Sequence, residues 1–280
     1  MRWGALVSAL LCAACATGPS APNPAPKSVA DIPIEIRHRL PTVKVLISGE
    51  LFELFLDLAG HRAMALTPSE LSRAKVRYLP HSDKFQNSYG QILEARRFVA
   101  ESVFLGDLAL GDVEGGESIF GDSAPPDRNG YIGMPILGRY LLVVDYPAKR
   151  IRLYKSGDAA AFHSECGAST FPITVTNGTA RSVGSTEFGD RLFLWDTGAM
   201  YNNIHPSALP RGTVGRRIDD GPPVIATRLK LGDLDIGTQE FRVQPFGAPA
   251  VDAYLGGDLF LSRKVCLDIP QGRGAMRESS

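Results

Sequence analysis

The stretch FLWDTGAMYN, residues 193–202, sets Asp196 directly after an apolar run and before the small residues Thr197, Gly198 and Ala199. A carboxylate at the end of a strand, on a tight small-residue turn, is suited to amide hydrolysis if a second carboxylate faces it. A lone aspartate titrates near 3.9 and gives no division between acid and base. Two carboxylates in contact cannot both ionise. They share a proton, their apparent pKa values split, and one becomes the base for a water while the other holds a proton for the scissile carbonyl. The chemistry therefore requires a partner for Asp196.

Internal similarity supplies one. LFLDLAGHRAMALTPSEL from Leu54 matches LFLWDTGAMYNNIHPSAL from Leu192; each is an apolar run, an Asp, a small-residue turn and a Pro-Ser opening a short helix. VFLGDLALGD from Val103 matches LKLGDLDIGT from Leu229, both alternating strands with a Gly-Asp turn. GYIGMPILGRYLLVVDYP from Gly130 matches AYLGGDLFLSRKVCLDIP from Ala253, without gaps from Gly133 to Asp145 and from Gly256 to Asp268. The counterpart of Asp196 is Asp57. The surrounding segments are short Val, Ile, Leu and Phe runs bounded by Gly, Pro, Asn and Asp, so the chain reads as mainly β. Short helices are expected near Pro68–Ala74 and Pro135–Leu141, with a turn at Pro206. The stretch KSGDAAAFHSECGAS, 155–169, lacks periodicity and falls between the copies, which places a lobe boundary there. Asp145 and Asp268 recur at strand ends and read as turn and hydrogen-bonding residues.

These residues carry a resemblance to the pepsin and retropepsin superfamily of aspartic proteases, over roughly residues 40–270. Asp196-Thr197-Gly198-Ala199 with Tyr254-Leu255-Gly256, and Asp57 with Tyr131-Ile132-Gly133, are similar to that family's paired Asp loops and crossing segments. The resemblance implies two β-barrel lobes related by a pseudo-two-fold axis, with few short helices. It implies Asp57 and Asp196 as catalytic residues, Thr197, Gly198 and Ala199 as the supporting loop, and a peptide or protein substrate, with no cofactor or metal. Tyr89-Gly90, in NSYGQILEARRF, resembles the tyrosine-glycine of a substrate-covering flap; an ordinary hairpin tyrosine is the other reading. The first loop departs from the pattern. It is Asp57-Leu58-Ala59-Gly60, where the family has a hydroxyl after the Asp that crosses to the opposite loop, and a Gly where Ala59 stands. Gly60 would restore the turn if the loop slips by one residue. Two functions follow: an exported aspartic endopeptidase, or an eroded relative that keeps the cleft as a peptide-binding or scaffold lipoprotein of the envelope. A third arrangement pairs DTGA loops from two chains.

Size and charge fit this picture. The 280 residues, 44% hydrophobic, can build one large core or two smaller ones. Lys plus Arg and Asp plus Glu each number 30, so no charge excess marks a nucleic-acid partner. The five histidines lack H-x-x-x-H spacing, GESIFG is one residue too long for a nucleophile elbow, and no phosphate-binding glycine loop is present. The start, MRWGALVSALLCAACATGPSAPNPAPK, has one Arg, a short apolar run and a Pro-rich tail, as in a bacterial export signal. Ala14-Cys15-Ala16 fits signal cleavage, and CAAC fits lipidation of Cys15, which would tether the protein to the envelope on the periplasmic side. Cys166 and Cys266 remain in the mature domain, as a disulfide joining the first and last strands of the second lobe or as two buried thiols. The resulting organisation is a signal over 1–16, a Pro-rich tether over 17–35, and lobes over 36–157 and 158–275. The membrane is reached only through the lipid anchor, and one chain working as a monomer carries both loops.

Overall fold

The computed structural model describes residues 26–86, 92–118, 127–247 and 250–278. Its strands form three sheets. In the first lobe, Glu50–Asp57 (ELFELFLD) buries Phe52, Leu54, Phe55 and Leu56 and runs parallel to Gly130–Gly133, with Asp57 beside Gly133. Met64–Leu66 lies antiparallel on the other side of that segment and parallel to Leu108–Glu117. The second lobe repeats the order: Gly189–Trp195 runs parallel to Ala253–Leu255, which is flanked by Asn203–Ile204 and then Leu234–Val243. Each sheet also folds back on itself, through Val45 against Leu105 in one lobe and Gly184 against Leu231 in the other. The chain has the two-lobed, mainly β architecture expected from its repeats.

The third sheet is shared. Its order is Ala30–Pro33, Arg150–Lys155, Tyr140–Asp145, Arg263–Asp268, Arg273–Glu278 and Phe171–Pro172. At its centre Val143 pairs with Cys266, its own counterpart in the other copy, so the pseudo-two-fold passes between them. This sheet corrects the sequence-derived limits. The tether was expected to run to residue 35, but Ala30–Pro33 is a strand, and Ile32 is 1% exposed because it packs into the common core. Arg273–Glu278 continues past the expected end at 275. The expected break at 155–169 contains a helix, Ala159–Cys166, capped by Asp158, whose carboxylate accepts from the Ala161 N–H at 2.9 Å. An Asp cap outweighs weak periodicity in so short a segment.

Pro68–Ala74 is helical as expected. The second helix is shorter than expected, Met134–Leu137, because Tyr140–Asp145 is already a strand. A single 3-10 turn spans Pro206–Ala208. Asp145 accepts from the Ala148 N–H and from Arg152, and Asp268 from Ser156, the Gly157 N–H and Arg273. Cys166 and Cys266 form a disulfide with Cα atoms 6.1 Å apart. It joins the end of the helix Ala159–Cys166 to a central strand of the shared sheet, rather than the first and last strands of a lobe. No helix among the described residues is long and apolar enough to cross a membrane. Cys15 lies outside the described residues.

Candidate active site

Asp57 and Asp196 end equivalent strands, and each is followed by a turn that bonds its own carboxylate. The Ala59 N–H donates to Asp57 Oδ1 at 2.9 Å, and the Gly198 N–H donates to Asp196 Oδ1 at 2.8 Å. One residue on, Gly60 N–H reaches the Asp57 carbonyl and Ala199 N–H the Asp196 carbonyl. Ala59 thus takes the place of Gly198, and Gly60 that of Ala199; the one-residue slip does not occur. A turn of this kind needs the N–H more than it needs glycine, so alanine suffices here.

The crossing segments fix both turns from behind. Met134 N–H donates to the Gly60 carbonyl and Gly257 N–H to the Ala199 carbonyl. At Gly133 a Cβ would stand 2.1 Å from the Arg62 carbonyl oxygen, and at Gly256 one would stand 2.3 Å from that of Tyr201. Only glycine lets the segments pass so close. Trp195, immediately before Asp196, is fully buried, stacked on Phe171 at 5.3 Å, and its Nε1 donates to Ser182 Oγ at 3.0 Å. The backbone carrying Asp196 is therefore anchored by the core of its lobe.

The two loops meet. A Cβ on Gly198 would lie 2.7 to 2.8 Å from Cγ and both oxygens of Asp57, so the second loop abuts the first carboxylate directly. Thr197, 1% exposed, spans the junction: its hydroxyl accepts from the Leu58 N–H at 3.1 Å and donates to the Leu56 carbonyl at 2.7 Å. The reciprocal bond is absent, because the Leu58 side chain has no polar atom. Its side chain is 1% exposed and belongs to the main apolar core instead. The lock is one-sided.

Charge around the carboxylates is unequal. Burial, followed by repulsion from Asp57, pushes Asp196 up to about 7, opposed by Arg128 and by the Gly198 and Ala199 N–H groups. Asp57 is also raised, again chiefly by burial, with Arg128 the strongest opposing influence. Each carboxylate is only partly exposed, so it lacks the water that would hold it ionised. Both carboxylates are thus raised for the same chief reason, burial, and the pair retains a proton that separate exposed aspartates would release.

Arg128 was not singled out from the sequence. Its Nη2 donates to the Gly198 carbonyl at 2.9 Å, and its guanidinium lies 4.4 Å over the Phe55 ring. The signal was a break in the repeat, since Arg128 stands where the second copy has Val251. Lobe contacts continue at Arg39, which pairs with Asp258 and lies over Tyr201 at 5.0 Å. Tyr89 and Gly90, the candidate flap, lie outside the described residues. Among the described residues no cluster of His, Cys, Asp and Glu is arranged to hold a metal. A separate cavity of about 310 Å³ is lined by Phe188, Val214, Val224 and Glu240 and by no residue of the two Asp loops.

No family model matches the chain, and no curated protein matches its sequence. Solved structures do. The aspartic proteinase from Irpex lacteus superposes with a TM-score of 0.59 at 14% identity, covering 90% of this chain and 97% of its own. Basic 7S globulin from soybean gives 0.56 at 12% identity, and conglutin gamma, a basic 7S globulin from lupine seeds, 0.55 at 12%; each covers 89% of this chain and 95% of its own. With two lobes, paired Asp loops and a shared sheet, the chain has the pepsin-like fold of an aspartic proteinase.

Proposed function

We propose that the protein is an exported aspartic endopeptidase in which Asp57 and Asp196 form the catalytic dyad. The observation that carries this is the junction of the two loops, with Gly198 against the Asp57 carboxylate and the Thr197 hydroxyl bonded across to Leu56 and Leu58. The ionised member of the pair takes a proton from a water as the water oxygen attacks the scissile carbonyl carbon. The protonated member gives its proton to the carbonyl oxygen, which yields a neutral tetrahedral diol. Return of a proton to the amide nitrogen lets the C–N bond break, releasing a carboxylic acid and an amine. The substrate lies extended between the lobes, its backbone bonded as a strand. No metal or cofactor enters these steps.

Export and a lipid on Cys15 belong to the same proposal. The Cys166–Cys266 disulfide supports it, because such bonds persist in oxidising compartments such as the periplasm. Mass spectrometry of the mature N-terminus tests it: a diacylated Cys15 supports the anchor, and an unmodified start at Thr17 replaces it with a soluble periplasmic protein.

One observation favours the second reading, a peptide-binding envelope lipoprotein without hydrolysis. Leu58 lies in the core and the lock is one-sided; two of the similar structures are named as basic 7S globulins rather than proteinases. Incubation of the purified chain with a diverse peptide mixture across acidic to neutral pH separates the two. Cleavage by the wild type, lost in both Asp57→Asn and Asp196→Asn, establishes the dyad. Binding without cleavage leaves the second reading standing.

A further inference from the structure

We propose that Arg181 forms an anion subsite on the second-lobe wall of the cleft and selects a substrate carboxylate on that side of the scissile bond; this rests on the endopeptidase reading. The strand order places it there. Arg181 pairs with Leu194, and Leu194 with Tyr254, so three neighbouring strands present these side chains on one face. Phe193 and Trp195, on either side of Leu194, are fully buried in the main core, so Leu194 points the opposite way, as does Asp196 two positions on. That face is the outer one, since Val183, two residues beyond Arg181, is 55% exposed. Phe246 stacks on Tyr254 at 4.2 Å and extends an apolar patch beside the cation. Burial, and after it the charge of Asp196, hold the Tyr254 phenol above its ordinary value, which agrees with a row that borders the dyad.

The charge of Arg181 has no use within the chain. The residue is 5% exposed, yet it bonds only neutral oxygens: Nε donates to Thr179 Oγ1 at 3.3 Å and Nη1 to the Ala250 carbonyl at 3.5 Å. No carboxylate among the described residues pairs with it. The acids on the adjoining segments are engaged elsewhere, Asp252 with the Leu192 N–H and Asp190 with the Ser185 hydroxyl. A buried guanidinium without a counter-ion is costly, and a carboxylate offsets that cost by accepting from two of its N–H groups in one plane. A Lys or Arg side chain at the same place is repelled, and an amide leaves the charge uncompensated. In the first lobe the equivalent row is Thr42, Phe55 and Tyr131, with a hydroxyl where Arg181 stands. The pseudo-two-fold relates the lobes across the dyad, so the carboxylate preference falls on one side of the bond that is cut.

The test measures kcat/KM and direct binding for the processed full-length chain. Peptides drawn from a diverse mixture are resynthesised with Glu, Gln or Lys at each position near the cut, and with free or amidated C-termini. The expected result is a preference of about tenfold or more for Glu over Gln at one position, with Lys the poorest. Arg181→Gln should reduce that ratio to about twofold, and Arg181→Glu should invert it toward Lys. Arg181→Met keeps the apolar stem and removes the charge; it should abolish the preference with a melting temperature at or above that of the wild type, since no ion pair is broken. If the ratio follows C-terminal amidation, the subsite stands and its carboxylate is a chain terminus. Cleavage without a carboxylate preference, or with one that Arg181→Gln and Arg181→Met leave intact, overturns the subsite and spares the endopeptidase. An Arg181-dependent Glu preference in binding, without cleavage, upholds the subsite and overturns the hydrolysis. Neither binding nor cleavage overturns both.

Discussion

Thr197 alone carries its hydroxyl across the junction of the two loops, and that makes it the most sensitive polar side chain of the loops. Thr197→Val should orphan the buried Leu58 N–H and Leu56 carbonyl, at a cost of about 1 to 3 kcal/mol in denaturant unfolding. Cleavage should fall more steeply than stability, while Thr197→Ser should restore both. Gly198→Ala tests the loop contact from the other side. The new methyl group would collide with the Asp57 carboxylate, so peptide turnover should drop at least about a hundredfold with the melting temperature little changed. At this scale the sequence was legible for groups with a polar signature: both aspartates and the DTGA loop stood out. It was silent on the direction of Leu58, because a leucine beside a strand-end aspartate is equally compatible with a disordered loop and a packed one. Its nearly complete burial decides for the latter. Arg128 escaped because a single cation has no spacing pattern; only its mismatch with Val251 marked it.

The elements that hold the site were legible wherever apolar alternation or turn chemistry repeats. Both crossing segments, their glycines and the helix Pro68–Ala74 follow from local pattern. The shared sheet does not, since three of its five pairings join residues more than a hundred positions apart and each of its hairpins alone looks like part of a lobe. Ala30–Pro33 shows the difficulty: four residues beside a proline-rich stretch carry no readable period, and only the partner Arg150–Lys155 makes them a strand. The disulfide is an element-scale device, pinning the helix Ala159–Cys166 onto that sheet. The Cys166→Ala, Cys266→Ala double variant should lose about 2 to 4 kcal/mol in denaturant unfolding, the range typical of a disulfide. An unchanged midpoint would show that the helix holds by packing alone.

Across the whole molecule, the dyad ties stability to pH. Both carboxylates have folded-state values above the ordinary 3.9, with Asp196 at about 7, so the folded protein binds more protons than the unfolded chain between those limits. Their contribution is most favourable below about pH 4 and is lost as pH rises through about 7. Asp196→Asn should therefore melt a few degrees higher than the wild type at pH 8 and at about the same temperature at pH 4. Melting curves at the two pH values check this, and a gain at the acidic end alone would reverse the sign. The axial pair Val143 and Cys266 has a further consequence for such losses. A strand lying beside its own counterpart is what a symmetric homodimer presents at its axis. In a homodimer one altered codon appears in both subunits, so a leucine after the aspartate would delete both crossing hydroxyls at once. Joined in one polypeptide, the halves inherit substitutions separately. Leu58 removes one hydroxyl and leaves Thr197 in place, and a change at Thr197 in this chain is the equivalent of the double loss.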